Sequence, residues 1–559
     1  MKVYPLYVML LASCWLSCQP KVGDSPPLPP PNIIYILADD MGYGDLGCYG
    51  SEIRTPHLDQ LAAEGVRMTQ LYNTGRCCPT RASLLTGLYP HQAGIGHMMS
   101  DRGVAGYRGD LHPYTPTIAE VLRPAGYGTY LAGKWHVTRH ASWGDSTHNW
   151  PNQRGFDRAF GMIKGAGSFY DTTILYLDGQ PAQGLGPNSY LTDAITDHAL
   201  QFMEAHAQTR SEDPFFLYLA FTAPHWPLQA PAEEIEAYAG VYEAGWDQLR
   251  AQRYARMKEL GVIDPAWGMT PRDSVTPPWQ EAPHQAWEAR RMATYAAMVT
   301  RMDRNIGRLI ADLKARGQWE NTLVVFLSDN GACAEDLPVD QDWVIDCCAP
   351  TYALGGTIHV GNDSSIPAGA DTTFMSYGRP WAQVSTTPFR RYKHWTDEGG
   401  IRTPGIIHYP AAMQGQGRWQ STPGHLIDLM ATALDASGAA YPSTFAGQAT
   451  PTPQGQSILP LLAGQAMPER AIFFEHEGNR AIRKGQWKLA SRSTDDYFEW
   501  ADAEELPRQG WALYDMAADG TEQHDVAADH PELVAALSQE WWQWAQQSEV
   551  FPKQKAGLE

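Results

Sequence analysis

Asn32-Ile33-Ile34-Tyr35-Ile36-Leu37-Ala38 runs directly into Asp39-Asp40. A short apolar run without polar alternation predicts a strand buried on both faces, the pattern of a parallel sheet. Open α/β sheets gather functional groups beyond the carboxyl ends of such strands. Three further runs have the same character: Thr129-Tyr130-Leu131-Ala132, Phe215 to Ala220, and Thr322 to Leu327. Each leads into polar residues, respectively Gly133-Lys134-Trp135-His136, Pro224-His225-Trp226-Pro227 and Asp329-Asn330-Gly331. Helical patterns lie between them. Thr55-Pro56 opens one that Gly65 stops, and Thr115-Pro116 opens another that runs to Gly126. Met292, Tyr295, Met298, Met302, Ile306, Leu309 and Leu313 recur at helical spacing, as the core face of a long amphipathic helix. The alternation predicts an α/β fold, with a large domain built on a mostly parallel central sheet flanked by helices.

The flanks divide the 559 residues further. Residues 1–18 carry Lys2 and then an apolar core too short for the about 20 residues that span a bilayer, so they read as a signal peptide. Small residues before Cys14 and Cys18 resemble a lipoprotein signal, and acylation at either cysteine or ordinary cleavage nearby are both open. Residues 19–31 are a Pro-rich linker, 32–453 the large domain, and 454–559 a smaller α+β subdomain. That subdomain has strand-like segments at Ala471 to Glu475, Lys488 and Leu513-Tyr514, and a last helix from Pro531 with Leu533, Leu537 and Trp541 on one face. The expected location is outside the cytoplasm, periplasmic or lipid-anchored. The net charge of −20 excludes a nucleic-acid partner and a polybasic membrane grip. Cysteines without a repeated C-x-x-C spacing argue against a structural zinc site, and a disulfide from Cys333 to Cys347 or Cys348 is open.

Asp39, Asp40, Asp329 and Asn330 form a hard, all-oxygen donor set from two strands. Such donors suit Ca²⁺ or Mg²⁺, with Ca²⁺ favoured by its tolerance of irregular geometry. Three carboxylates crowded together without a cation would repel one another. Cys77-Cys78-Pro79-Thr80-Arg81-Ala82-Ser83-Leu84-Leu85-Thr86-Gly87 reads as a short helix that starts at its cysteines. A helix N-terminus favours anions and lowers a thiol pKa, and a pair of buried structural cysteines is the plain alternative.

Cys77, Pro79, Arg81 and Thr86-Gly87 resemble the signature of the type I sulfatases, in the alkaline phosphatase superfamily. The resemblance runs from Asn32 to the final helix and is similar to bacterial arylsulfatases at Gly96-His97-Met98, Gln153 to Asp157 and Glu475 to Arg480. It implies that Cys77 is converted to Cα-formylglycine by a formylglycine-generating enzyme, and that Asp39, Asp40, Asp329 and Asn330, with residue 77, bind one Ca²⁺. It further implies active-site roles for Arg81, Lys134, His136, His225 and Lys393. Lys393 precedes Glu398 at the family's spacing without the usual flanking glycines, and Thr80 stands where Ser or Ala is usual. The implied reaction is hydrolysis of an aryl or carbohydrate sulfate ester. One hydroxyl of the hydrated aldehyde attacks sulfur, Lys134 and Lys393 hold the sulfate, His225 protonates the leaving alcohol, and His136 takes the proton that expels sulfate. Arg81 holds the residue-77 hydroxyl and nearby carboxylates. A phosphonate monoester hydrolase or phosphodiesterase, and an inactive glycan-binding surface lipoprotein, are the other readings. Trp226, Trp395, Asp171, Glu335 and Asn479 are candidate sugar contacts.

Overall fold

Strand β1 (Asn32–Ala38) alternates its side chains between two cores. Ile34 and Ile36 enter one, which also contains the long helix residues Met292, Met298 and Leu309, while Ile33, Tyr35 and Leu37 enter the other, with Leu84 and Leu85. The period-two geometry of a strand thus explains why its apolar run is unbroken: neither face meets water. The protein is described from a computed structural model, covering residues 29–171, 173–182, 186, 189–339, 357–492 and 510–552. The expected signal peptide, the linker up to residue 28, and the cysteines Cys347 and Cys348 of the expected disulfide lie outside the described residues. No helix among them is long and apolar enough to cross a membrane.

The strands that follow are β2 (Val66–Tyr72), β3 (Gly128–Lys134), β4 (Arg158–Met162), β5 (Phe215–Ala220), β6 (Thr322–Ser328) and β7 (Arg402–His408). Their order in the sheet is β2-β7-β6-β1-β5-β3-β4, with shorter strands at both edges. From β6 to β4 every pairing is parallel. Register aligns their carboxyl ends, because Ala38 pairs with Ser328, Leu37 with Ala220, and Ala220 with Gly133.

Strands β2 and β7 were not legible in the sequence patterns. Strand β7 runs antiparallel to both β6 and β2, with Ile406 opposite Phe326 and Arg402 opposite Tyr72. Its start and the end of β2 therefore lie on the same rim as the carboxyl ends of the parallel strands. Helix α1 (Pro56–Glu64) has the expected bounds between Thr55 and Gly65. The helix expected from Thr115-Pro116 starts later, at Ile118, because Thr117 and Glu120 form a reciprocal capping box that satisfies the first backbone donors. Helix α2 (Cys77–Thr86) begins just past β2, and Gly87 caps it at φ 70°. Helix α3 (Gln285–Ala315) buries the predicted Met, Tyr, Ile and Leu stripe. A second, antiparallel sheet comprises β8 (Ala471–His476), β9 (Asn479–Lys484), β10 (Trp487–Ser491) and β11 (Ala512–Asp515), and is followed by helix α4 (Pro531–Gln547).

Candidate active site

Everything on this rim follows from strand direction. Strand β1 delivers Asp39 and Asp40, β6 delivers Asp329 and Asn330, β3 delivers Lys134 and His136, and the loop after β5 delivers His225. Strand β2 ends on this rim and the chain passes from there into α2 at Cys77, and the segment entering β7 carries Lys393. Asp40 (φ 65°) and His136 (φ 55°) both adopt the left-handed region, the conformational strain that active sites often hold. Gly331 is required by close approach: a Cβ there would stand 1.8 Å from the Gly399 carbonyl oxygen, where the segments of Asn330 and Lys393 meet.

The carboxylates lie together in one hydrogen-bonded group. The Asp40 amide donates to Asp329 Oδ1 at 3.1 Å, and Asn330 Nδ2 donates to Asp40 Oδ1 at 2.6 Å. Arg81 donates to Asp329 Oδ2 through Nε and a terminal nitrogen, at 3.1 and 2.8 Å, and to the Lys134 carbonyl at 3.0 Å. Lys134 Nζ donates to Asp39 Oδ2 at 2.6 Å and Lys393 Nζ to Asp40 Oδ2 at 2.9 Å. His225 Nε2 lies 3.3 Å from the same Asp40 oxygen and 3.5 Å from Lys393 Nζ.

Electrostatics separates the two aspartates on β1. Burial, and then the charge of Asp329, push the Asp39 carboxyl well above the usual range. Burial raises Asp40 too, but Lys393 and His225 outweigh it and hold it at about 2. Burial lowers His225 and His136 to about 4 each. Cys77, Cys78 and His136 present atoms within 4.8 Å of one another, and Cys78 Sγ lies 3.1 Å from His136 Nε2. The neighbouring Cys78 thiol pulls the Cys77 thiol down, while burial pushes Cys78 up. Cys77 is also close enough to Asp40 for their charges to act on each other.

The donor set fits a cation. Asp39 Oδ1 and Asn330 Oδ1 are buried oxygens with no hydrogen-bond partner among the described residues. Buried acceptors are rarely left without a partner, and oxygen-only donors are the preference of a hard divalent ion.

Sequence reasoning missed the contact between Cys78 and His136. It also missed the support of Lys393. The Lys393 segment is held by a buried network in which Lys488 of β10 bridges Glu398 Oε1 (2.9 Å) and Glu522 Oε1 (2.8 Å), and Glu522 accepts from the Glu398 amide at 2.8 Å. Such pairings have no local pattern in sequence. Among the candidate sugar contacts, the Trp226 indole donates to Glu335 at 2.7 Å, and Glu335 lies 3.8 Å from Lys393, so these two reach the site. Trp395 is buried beneath Arg391, Asn479 is buried at the start of β9, and Asp171 bonds its neighbour Thr173.

A model of the sulfatase family matches residues 31–439. The chain belongs to the sulfatase family. An uncharacterized sulfatase of Schizosaccharomyces pombe is 33% identical over 546 residues, covering 91% of this chain and 92% of the relative. The arylsulfatase of Klebsiella aerogenes is 35% identical over 424 residues, 73% of this chain and 87% of that one. The crystal structure of Ps i-CgsB in complex with k-i-k-neocarrahexaose is 25% identical, with a TM-score of 0.63 over 94% of this chain and 95% of the other. This sulfatase is therefore a sulfuric ester hydrolase with the α/β architecture of its family. The family in general works with a metal ion and a formylglycine residue.

Proposed function

We propose that this sulfatase releases inorganic sulfate from a carbohydrate sulfate ester, using a formylglycine made from Cys77 and a calcium ion held by Asp39, Asp40, Asp329, Asn330 and residue 77. The observation that carries the reading is the convergence of Lys134, Lys393, His225 and His136 on the head of helix α2 beside a carboxylate set with two unpartnered oxygens. Calcium, when bound, supplies positive charge to a sulfate oxygen and to the attacking hydroxyl. Hydrated formylglycine supplies two hydroxyls on one carbon, one to attack sulfur and one whose deprotonation lets sulfate leave.

The chain's own side chains do the rest. Lys134 and Lys393 carry charge toward the sulfate oxygens, and the helix N-terminus adds to it. His225 gives a proton to the leaving oxygen. Burial alone keeps it neutral near pH 7, but a sulfate anion beside it acts in the opposite sense and favours the imidazolium. His136 takes the proton from the second hydroxyl at residue 77. Arg81 fixes Asp329 and the backbone of Lys134. The carbohydrate assignment is supported by the sugar complex of the similar structure and by Trp226 and Glu335 beside Lys393. Export, a lipid anchor at Cys14 or Cys18, and maturation by a formylglycine-generating enzyme belong to the same reading.

Desulfation of a panel of defined sulfated sugars, with a matched pair of aryl sulfate and aryl phosphonate esters, tests this. Preference for the phosphonate would favour the phosphonate hydrolase reading, and no turnover with an unmodified thiol at residue 77 would favour a glycan-binding role. Chelation should remove most of the activity, and Ca²⁺ should restore it more fully than Mg²⁺; activity indifferent to chelation would sink the metal assignment. His225→Ala should lower kcat on sugar sulfates by about 10²- to 10⁴-fold, the usual weight of a general acid. Nitrophenyl sulfate, whose leaving group needs no proton, should lose much less. Equal losses on both substrates would remove His225 from that role.

A further inference from the structure

We propose that His97, His394, His476 and Glu477 form a second metal site, a structural one for a zinc-class divalent ion, beside the catalytic cleft. The four residues come from three separated segments: the loop after α2, the residue directly after Lys393, and the end of β8 with the turn that follows it. His97 Nε2 lies 2.6 Å from Glu477 Oε1, and His394 Nδ1 contacts the other carboxylate oxygen, Oε2. His476 Nε2 stands 3.5 Å from Glu477 Oε1. Donor atoms of His394, His476 and Glu477 all lie within 4.8 Å of one another. The His476 ring stacks on His97 and meets His394 edge-on, each with centroids 5.6 Å apart.

His476 is the independent observation. It is fully buried, its Nδ1 makes no hydrogen bond among the described residues, and its Nε2 has only the 3.5 Å contact with Glu477 Oε1. A buried imidazole nitrogen left unsatisfied is costly, and a metal ion bound to it removes that cost. Glu477 reaches the cluster through a left-handed backbone (φ 49°), an arrangement an ordinary turn would give to glycine.

Three imidazoles and one carboxylate are the donors of zinc-class ions, unlike the oxygen-only set around Asp40. His394, His476 and Glu477 are the clustered donors and His97 joins them through its 2.6 Å contact with Glu477 Oε1; a site held by protein donors alone is the structural type. The neutral imidazole is the form that ligates such an ion. Another group, Asp110 with His140 and His148, is less suited, since Asp110 is already held by Asn149 and both histidines are partly or largely exposed. The His394 amide donates to the Gly75 carbonyl at 2.6 Å, and the Lys393 amide donates to Ala332 at 3.0 Å. An ion bound there would tie the Lys393 segment and the approach to α2 to the smaller sheet.

The test uses the full chain, stripped of metals, saturated with Ca²⁺ and then given Zn²⁺ alone. One zinc should be retained per chain after desalting, and X-ray absorption should show a nitrogen and oxygen shell with imidazole scattering. His476→Ala and Glu477→Gln should lose the ion, whereas a Cys77→Ala, Cys78→Ala double variant should keep it. Zinc should also raise the thermal midpoint of the wild-type chain. Failure of the wild type to retain zinc overturns the proposal. So does sulfur in the shell, which would put the ion at Cys77, Cys78 and His136, or undiminished retention in His476→Ala. The absorption spectrum of the wild type decides the matter even if a variant fails to fold.

Discussion

Cys77→Ala is expected to lower kcat by roughly 10⁵-fold or more, the scale at which loss of a nucleophile leaves only binding and electrostatic catalysis. Two adjacent cysteines are both buried at the head of α2, and they are not equivalent. Only Cys77 has Pro79 and Arg81 at the signature spacing; counted from Cys78, those places hold Thr80 and Ala82. The environments differ in the same sense, since Cys77 is the thiol held low and Cys78 the one pushed up by burial. Cys78 is not idle packing, because its sulfur lies 3.1 Å from His136 Nε2. Cys78→Ala should therefore keep most of the activity while loosening His136, with a loss far smaller than that of Cys77→Ala. Steady-state kinetics on both variants, with peptide mass spectrometry after hydrazide labelling, checks this. Label on residue 78, or substantial turnover in Cys77→Ala, would overturn the assignment.

Arg81→Met should destabilise the fold by about 3–5 kcal/mol, the usual result of removing one partner of a buried ion pair. Methionine approximates the apolar stem but leaves Asp329 without its two guanidinium bonds and Asp39 without the cation 3.6 Å away. The Lys134 carbonyl also loses a donor. Arg81→Lys keeps the charge but not the planar fork, so it cannot serve Asp329 and the Lys134 carbonyl together, and should lie between the wild type and Arg81→Met. Denaturant midpoints at one fixed Ca²⁺ concentration measure the series. A midpoint in Arg81→Met equal to the wild type would mean that the carboxylates are neutralised by something other than this arginine.

The parallel centre of the sheet was legible because its signal is local. Strand β1 is buried on both sides, so its apolar run is continuous, and the residues that follow such runs on one rim carry the chemistry. Asp39, Asp40, Asp329, Asn330, Lys134 and His225 could thus be named from chain order alone, and Cys77 and Lys393 from motif spacing. Strands β2 and β7 could not, because they pair with each other from distant parts of the chain, Arg402 opposite Tyr72, and β7 contains Arg402, Thr403 and Pro404 instead of an apolar run. Their direction nevertheless puts Cys77 and Lys393 on the same rim as the carboxylates. The contact of Cys78 with His136, the support of the Lys393 segment by Lys488 and Glu522, and the meeting of His97, His394, His476 and Glu477 were likewise decided only in three dimensions. The sequence by itself determined which residue types stand at the ends of the buried strands, since burial and periodicity act on neighbours along the chain. Which distant side chains share one desolvated space was decided by tertiary packing, since a buried charge or imidazole is stabilised by whatever partner the fold brings within reach.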